Sequence, residues 1–185
     1  MQDLIWTESL LKAYSRLDSY IEKINKRVNV VALTQPSVQY GTTTEVVAEK
    51  IFKLIDKKKV VIKTKFLIEE ILMKINPKYA SVLKMRFVDN KTIENIADYF
   101  CVSSRTVRRY ILEGVNYFKK ILNKKLLEDR DLLQMYKNET WMASIYYDNV
   151  KKRLWHTNRD LYKKFIKECD FKNLKDYEKL YSYAI

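Results

Sequence analysis

Apolar residues in the first third of the chain recur with alternating steps of four and three. Such a heptad pattern forms a continuous apolar seam along one face of a helix. The pattern stops between residues 32 and 44, where Thr42 and Glu45 have the spacing of a capping box. Two long helices joined by a loop are therefore predicted. The seam positions are Leu10, Tyr14, Leu17, Ile21, Ile24, Val28 and Val31, then Val47, Ile51, Leu54, Lys58, Val61, Lys65, Ile68, Leu72 and Ile75.

Two helices with matching seams most simply fold back on each other as an antiparallel hairpin. The same seam could instead pair two copies of the chain, with Lys58 and Lys65 limiting the register. We expect the hairpin to form within one chain. A homodimer through the N-terminal heptad seam is the alternative.

The next segment has the apolar spacing of two short helices joined by a tight turn. Apolar positions recur at helical spacing, stop at Cys101 and resume after Ser103. Ala97 is small enough to let two crossing helices approach closely, and Val107 would fill the angle between them. This is helix-turn-helix geometry. The apolar positions are Ile93, Ile96, Ala97, Phe100, Val107 and Ile111.

The second of these helices carries arginines on its outward side. Ser103 is a suitable N-cap, and a helix start of this kind can also receive a DNA phosphate. Counting 100° per residue from Val107 places Arg105 and Arg109 opposite the core. The same count places two residues on the flanks, Thr106 and Arg108.

These residues resemble region 4 of the sigma-70 class and the regulators built on the same unit. Residues 79–87 resemble that region's first helix, 92–100 its support helix and 102–109 its recognition helix. With a long helical N-terminal part attached, the order is also similar to phage and mobile-element regulators of the ArpU type. Cys101 departs from the family, whose turns usually carry glycine for positive φ. The turn is therefore expected to be strained or differently shaped.

The resemblance implies a DNA-binding protein that acts in transcription and contacts RNA polymerase. It places the DNA-binding residues in the recognition helix and at the start of the support helix. The residues so assigned are Ser103, Ser104, Arg105, Thr106, Arg108, Arg109, Lys91 and Thr92.

Charge supports a polyanionic partner. The 185 residues include 36 Lys and Arg against 23 Asp and Glu, a net charge of +13. Residues 77–127 carry 11 basic and four acidic side chains, whereas residues 128–185 carry 12 and 10. The excess is concentrated on the helix-turn-helix, as expected of a phosphate-binding surface.

Beyond the recognition helix, apolar spacing continues to Leu126, and Leu112 near its outward side is expected to be covered by another segment. After Asn138 three short amphipathic patterns predict three more helices. Their aromatic residues could stack on single-stranded bases, although packing in the core is the commoner use. The patterns are Ala143, Tyr146, Tyr147, Val150 and Leu154; Leu161, Tyr162, Phe165, Ile166 and Cys169; and Leu174, Tyr177, Tyr181 and Ala184.

The predicted fold is all-α, with three segments. Residues 1–76 form a helical hairpin for polymerase contact or self-association, 77–126 a helix-turn-helix domain, and 127–185 a C-terminal helical extension. Asn76-Pro77 marks the first boundary, because a residue before proline is disfavoured in a helix.

Several classes are not indicated. No motif of a phosphate-binding loop, a metalloprotease or a serine hydrolase is present, so we expect no enzyme, catalytic residue, cofactor or metal. The two cysteines, Cys101 and Cys169, lack partners for a disulfide or zinc site. No signal peptide or membrane-length apolar run is evident, so a cytoplasmic protein without membrane contact is expected.

The sequence therefore favours a transcription regulator that reads the major groove of duplex DNA with the helix starting at Ser103. An alternative sigma factor that directs core RNA polymerase to promoters is the main competitor. An accessory protein of DNA replication or recombination is a further alternative, as is a helical adaptor for an acidic protein.

Overall fold

The computed structural model describes residues 4–33, 43–125, 129–136 and 139–168. The regular elements in these ranges are all helical, which confirms the predicted all-α class. A π-helical turn, Lys84–Val88, follows the third helix. The helices are α1 Ile5–Ala32, α2 Thr44–Lys74, α3 Pro77–Leu83, α4 Ile93–Phe100, α5 Ser104–Lys124, α6 Asp129–Tyr136, α7 Thr140–Thr157 and α8 Arg159–Glu168.

The chain divides into two compact units. One is Arg16–Leu67, and the described residues on either side of it form the other. Helices α1 and α2 both contribute to each unit. The division into three sequence segments at residues 76 and 126 stays a prediction of domain organisation.

The unit Arg16–Leu67 contains the outer parts of α1 and α2 as a hairpin. Leu17, Val61 and Thr64 are fully buried, and the Lys65 ammonium lies 2.6 Å from the carboxylate of Asp18. The remaining seam side chains are half-buried, because two helices alone cannot enclose them. Contacts within the chain therefore cover part of the predicted seam, and the described residues give no support to the homodimer alternative.

The other unit joins the start of α1 to α7. The Asn149 side-chain amide donates to the Ser9 hydroxyl at 2.7 Å, and its oxygen, Oδ1, accepts from the Lys12 ammonium. Burial lowers the pKa of Lys12. The Trp6 ring lies 4.3 Å from that of Tyr146, between centroids. The first turns of α1, assigned by sequence to the hairpin, thus pack against the C-terminal extension.

Helix α7 buries the apolar positions that its sequence pattern predicts. All five of its predicted apolar positions are buried, whereas in α8 only Phe165 is. Helix α6 was not predicted, because its apolar pair, Leu132 and Tyr136, spans a single turn. The predicted contribution of Cys169 and the third predicted helix lie outside the described residues.

Glu70 links the end of α2 to the end of α5. Its carboxylate accepts from the ammonium of Lys125 and, at 2.7 Å, from that of Lys74. These two hydrogen bonds, that of Lys125 first, lower the pKa of Glu70 to about 2. The end of the long helix α5 is thereby held at α2.

Replacing Glu70 by glutamine should destabilise the protein at pH 7. The folded-state pKa lies below the ordinary value of 4.5, so the ionised carboxylate stabilises the fold above about pH 4.5. That contribution is lost as the pH falls towards 2. Urea unfolding at pH 7 and at pH 2.5 should therefore show a difference between the native chain and the variant that shrinks in acid. An equal difference at both pH values would contradict the role assigned to this carboxylate.

Candidate DNA interface

Helices α4 and α5 form the predicted helix-turn-helix around a small core. Val107 is fully buried and Ala97 nearly so, where the two helices cross. The core confirms the apolar pattern that predicted the motif, and it adds Val82 from α3, Met85 from the π-helical turn and Tyr110 from α5. Its buried members are Val82, Met85, Ile96, Ala97, Val107 and Tyr110.

A π-helical turn leads from α3 into the motif. The Asp89 N–H donates to the Lys84 carbonyl at 3.0 Å, five residues back. The Lys91 N–H donates to the Met85 carbonyl at 2.9 Å, and the Arg86 guanidinium donates to the Lys91 carbonyl at the same distance. These bonds fix the backbone of Lys91 immediately before α4.

Both helices of the motif begin at a hydroxyl cap. The Asn95 N–H donates to Thr92 Oγ1 at 3.2 Å, and the Thr106 N–H donates to Ser103 Oγ at 3.2 Å. Thr106 Oγ1 also lies 2.9 Å from Ser103 Oγ. Ser103 is thus the N-cap predicted by sequence, and the cap fixes where the recognition helix starts.

The turn between α4 and α5 has the expected backbone strain. Cys101 has φ 51° and ψ 45°, which is the left-handed region. Its N–H donates to the Asp98 carbonyl at 3.2 Å, and the Val102 N–H donates to the Ala97 carbonyl at 3.0 Å. These are the two bonds of a Schellman motif, whose left-handed position is usually glycine. Cys101 therefore occupies a glycine conformation at the centre of the motif.

Replacing Cys101 by glycine should stabilise the protein by about 0.5–1 kcal/mol, because relief of left-handed strain exceeds the entropy that glycine loses on folding. Cys101→Ala is the matched control, since it removes the sulfur and keeps the strain. We expect the alanine variant to remain within about 0.5 kcal/mol of the native chain. Chemical denaturation compares the three proteins. A glycine variant less stable than the alanine variant would contradict the strained turn.

Gly114 allows α3 to approach α5 closely. A Cβ at this position would lie 3.1 Å from Leu83 Cγ and 3.2 Å from Leu83 Cδ1. Leu83 is fully buried and Gly114 is buried as well. The glycine therefore makes room for a leucine of the lead-in helix at the middle of α5.

The predicted DNA-binding residues lie at the starts of the two helices of the motif. Six of them lie at the first turns of α5 or at its cap, and the other two lie at the start of α4. Arg105, Arg108 and Arg109 are exposed, whereas Ser104 and Thr106 are half-buried. Exposed members at the ends are Lys91, Thr92 and Ser103.

The three arginines differ in their surroundings. Arg105 and Arg108 form no hydrogen bond or ion pair with any other residue in the described ranges. Arg109 Nε lies 3.8 Å from Glu113 Oε1, one helical turn further on. Its guanidinium also lies 5.7 Å from the centre of the Tyr110 ring. Arg105 and Arg108 are thus the cations whose charge is uncompensated.

Residues that the sequence reasoning overlooked support Arg109. The Tyr79 hydroxyl donates to Glu113 Oε2 at 2.6 Å, and this hydrogen bond raises the pKa of Tyr79. Lys78 donates to the Tyr110 hydroxyl, which lowers the pKa of that phenol. Residues of helix α3 therefore hold in place the two side chains of α5 that lie next to Arg109. The spacing of Arg109 and Glu113 was the available sequence signal for part of this arrangement.

Leu112 lies one turn beyond Arg108 and is 54 % exposed. The expectation that another segment covers it is wrong for the part of the chain that the structure describes. An apolar side chain is thus left open beside the arginines.

Comparison with known proteins agrees with this geometry. The family model described as Sigma-70, region 4 matches residues 65–115, which extend from the end of α2 to the middle of α5. This part of the chain is a sigma-70 region 4-like helix-turn-helix domain, a DNA-binding and transcription-related unit. No curated protein and no solved structure matches the chain.

Two further properties of the described ranges bear on function. No three His, Cys, Asp or Glu side chains there lie together so that they could hold a metal ion. No helix in those ranges combines the length and the apolar character needed to cross a membrane.

Proposed function

We propose that this protein is a sequence-specific regulator of transcription that binds duplex DNA. The start of α5 enters the major groove, and the cap at Ser103 meets the phosphate backbone. In this arrangement Arg105 and Arg109 bond guanine edges, while Arg108 contacts phosphate from the flank of the helix. The protein acts together with RNA polymerase.

The observation that carries this proposal is the uncompensated charge at Arg105 and Arg108. An exposed arginine without an acidic partner contributes little to stability, whereas two of them at the start of a capped helix offer uncompensated positive charge to DNA phosphates. The core around Val107 holds that helix rigidly. A rigid helix with a basic outer face is the usual means of major-groove reading.

The hairpin unit provides support for a contact with polymerase. Phe52 is 66 % exposed and Phe66 is 65 % exposed, both on α2. These two exposed rings are available for contact with a protein partner. We assign this surface to RNA polymerase, with self-association as the competing assignment.

A sigma factor is the second candidate, since its family supplies the matched domain. A sigma factor must also open the promoter, which requires aromatic side chains able to capture bases. Trp6 is buried beside Tyr146, and Tyr14 is half-buried with its hydroxyl donating to Glu69 at 3.0 Å, so both rings take part in packing. Phe52 and Phe66 are exposed aromatic side chains among the described residues of the hairpin. The balance favours a regulator.

Transcription in a purified system distinguishes the two candidates. The template carries a site found by a genome-wide footprint of the tagged protein. We expect specific transcription to require the housekeeping sigma subunit, and the protein to change its level. Specific initiation by core polymerase with this protein alone would defeat the regulator proposal and establish a sigma factor. The variant Arg105→Ala with Arg108→Ala serves as the DNA-binding control.

A further inference from the structure

The corner between α7 and α8 exposes a tryptophan. Trp155 is 48 % exposed, whereas Trp6 is only 2 % exposed and Trp141 is half-buried, with its ring N–H donating to Glu139 at 2.7 Å. The Tyr162 ring meets Trp155 edge-on, with 5.1 Å between ring centres. Tyr162 therefore holds the Trp155 ring in place while much of its surface remains open.

An arginine lies beside this ring, and two exposed lysines lie close by along α7 and α8. The Arg159 guanidinium lies 5.4 Å from the Trp155 ring centre. Lys152 and Lys163 are exposed and lie one turn from Trp155 and Arg159, respectively. The Lys163 ammonium is 3.9 Å from the Asp160 carboxylate, a long and exposed ion pair that contributes little. An anion could therefore compete for Lys163 at small cost.

The charge of the C-terminal extension is strongly divided along the sequence. Residues 151–168 carry seven basic and two acidic side chains, whereas residues 128–150 carry two basic and five acidic. The total charge of the extension is modest because an acidic first part offsets a basic second part. The basic side chains form a basic surface at the α7–α8 corner. This surface lies outside the helix-turn-helix motif and plays no part in its core.

We propose that Trp155 is a stacking site for an unpaired base of a single-stranded nucleic acid. Lys152 and Lys163 bind the neighbouring phosphates, and Arg159 takes part in the stack. An exposed aromatic ring among lysines is the combination that single-stranded nucleic acids require, since each nucleotide presents one flat face and one negative charge. In a duplex the bases are already stacked on each other. An acidic peptide would use the lysines and leave the ring without a function.

This site stands independently of the proposed function, because it uses other helices and another form of nucleic acid. The ligand chemistry is shared by DNA and RNA. The test therefore uses two probes, a 12-nucleotide oligothymidylate and the matching oligouridylate. Binding of the full-length protein is measured by fluorescence anisotropy of labelled probes and by quenching of tryptophan fluorescence.

We expect Trp155→Ala to weaken binding of the preferred oligomer by roughly 5- to 150-fold, the range found for removal of one stacked base contact. Tyr99→Ala is the matched control, because Tyr99 is a 69 % exposed aromatic residue on α4. The control should bind as the native chain does. Unchanged affinity in Trp155→Ala, or an equal loss in Tyr99→Ala, would overturn the site. Tighter binding of one oligomer identifies the strand type.

Two more variants keep the test valid if the alanine variant folds poorly. Trp155→Phe retains a ring, so it should bind nearly normally while the quenching signal disappears. Lys152→Gln combined with Lys163→Gln should lower the salt dependence by about 1.4 in the log–log slope, since each single-strand phosphate contact contributes about 0.7. Persistent quenching in Trp155→Phe, or an unchanged slope, would also overturn the proposal.

Discussion

Replacing Arg105 by alanine should lower the discrimination between preferred and unrelated duplex DNA by roughly 5- to 150-fold, which corresponds to about 1–3 kcal/mol for one bidentate contact to guanine. Arg105 lies opposite the buried Val107, is exposed, and has no partner in the described ranges that would hold it back. Arg109→Ala should act in the same direction. Competition between a selected site and a scrambled duplex measures the discrimination directly.

Arg108→Ala provides the contrast. Arg108 lies on the flank of α5, where phosphate contacts are expected, so this variant should weaken all duplexes alike and reduce the salt slope by about 1. Arg27→Ala is the matched control, because it removes an exposed arginine from α1. Unchanged discrimination in both the Arg105 and the Arg109 variants would show that α5 faces DNA with a different side.

The largest loss of stability is expected for Phe118→Ala, at about 3–5 kcal/mol. Phe118 is fully buried in the second half of α5, two turns beyond Tyr110. Its removal takes away apolar contact and leaves a cavity, since the surrounding helices can collapse only in part. Urea unfolding followed by circular dichroism measures the change.

Leu112→Ala is the matched control for that experiment. Leu112 lies on the same helix but is half exposed, so its truncation should cost less than about 1 kcal/mol. A loss below 1 kcal/mol for Phe118→Ala would mean that the second half of α5 is not packed as the structure has it. Both variants place alanine in α5, so a larger loss of stability for Phe118→Ala reports the loss of packing and not a change in helix propensity.

The helix-turn-helix could be predicted from sequence because its signals are local. Ala97, Ser103 and Val107 lie within eleven residues. Ala97 allows the close approach of the helices, Ser103 caps the second helix, and Val107 fills the angle between the two. Helical periodicity then determines which side of α5 is outward, so the exposure of Arg105 follows without tertiary information. The long heptad seam was readable for the same reason, since it repeats one step over many turns.

Contacts between distant segments of the chain could be identified only from the tertiary structure. Sequence spacing does not indicate that Glu70 meets Lys125, that Tyr79 holds Glu113, or that Gly114 accommodates Leu83. Each pair joins elements more than 30 residues apart, where many pairings would satisfy the same apolar pattern. The expectation that another segment covers Leu112 was wrong for the described residues, because such a contact would also join distant segments.

The sequence by itself determined an all-α chain with a basic helix-turn-helix and an outward row of arginines, because periodicity, capping and charge act over a few residues. Only the tertiary structure decided that the first turns of α1 pack against α7, that Tyr79 of α3 holds the Glu113 carboxylate beside Arg109, and that Trp155 is exposed while Trp6 is buried. These outcomes depend on which helices pack together in the folded protein, because the burial of a side chain is set by its tertiary contacts.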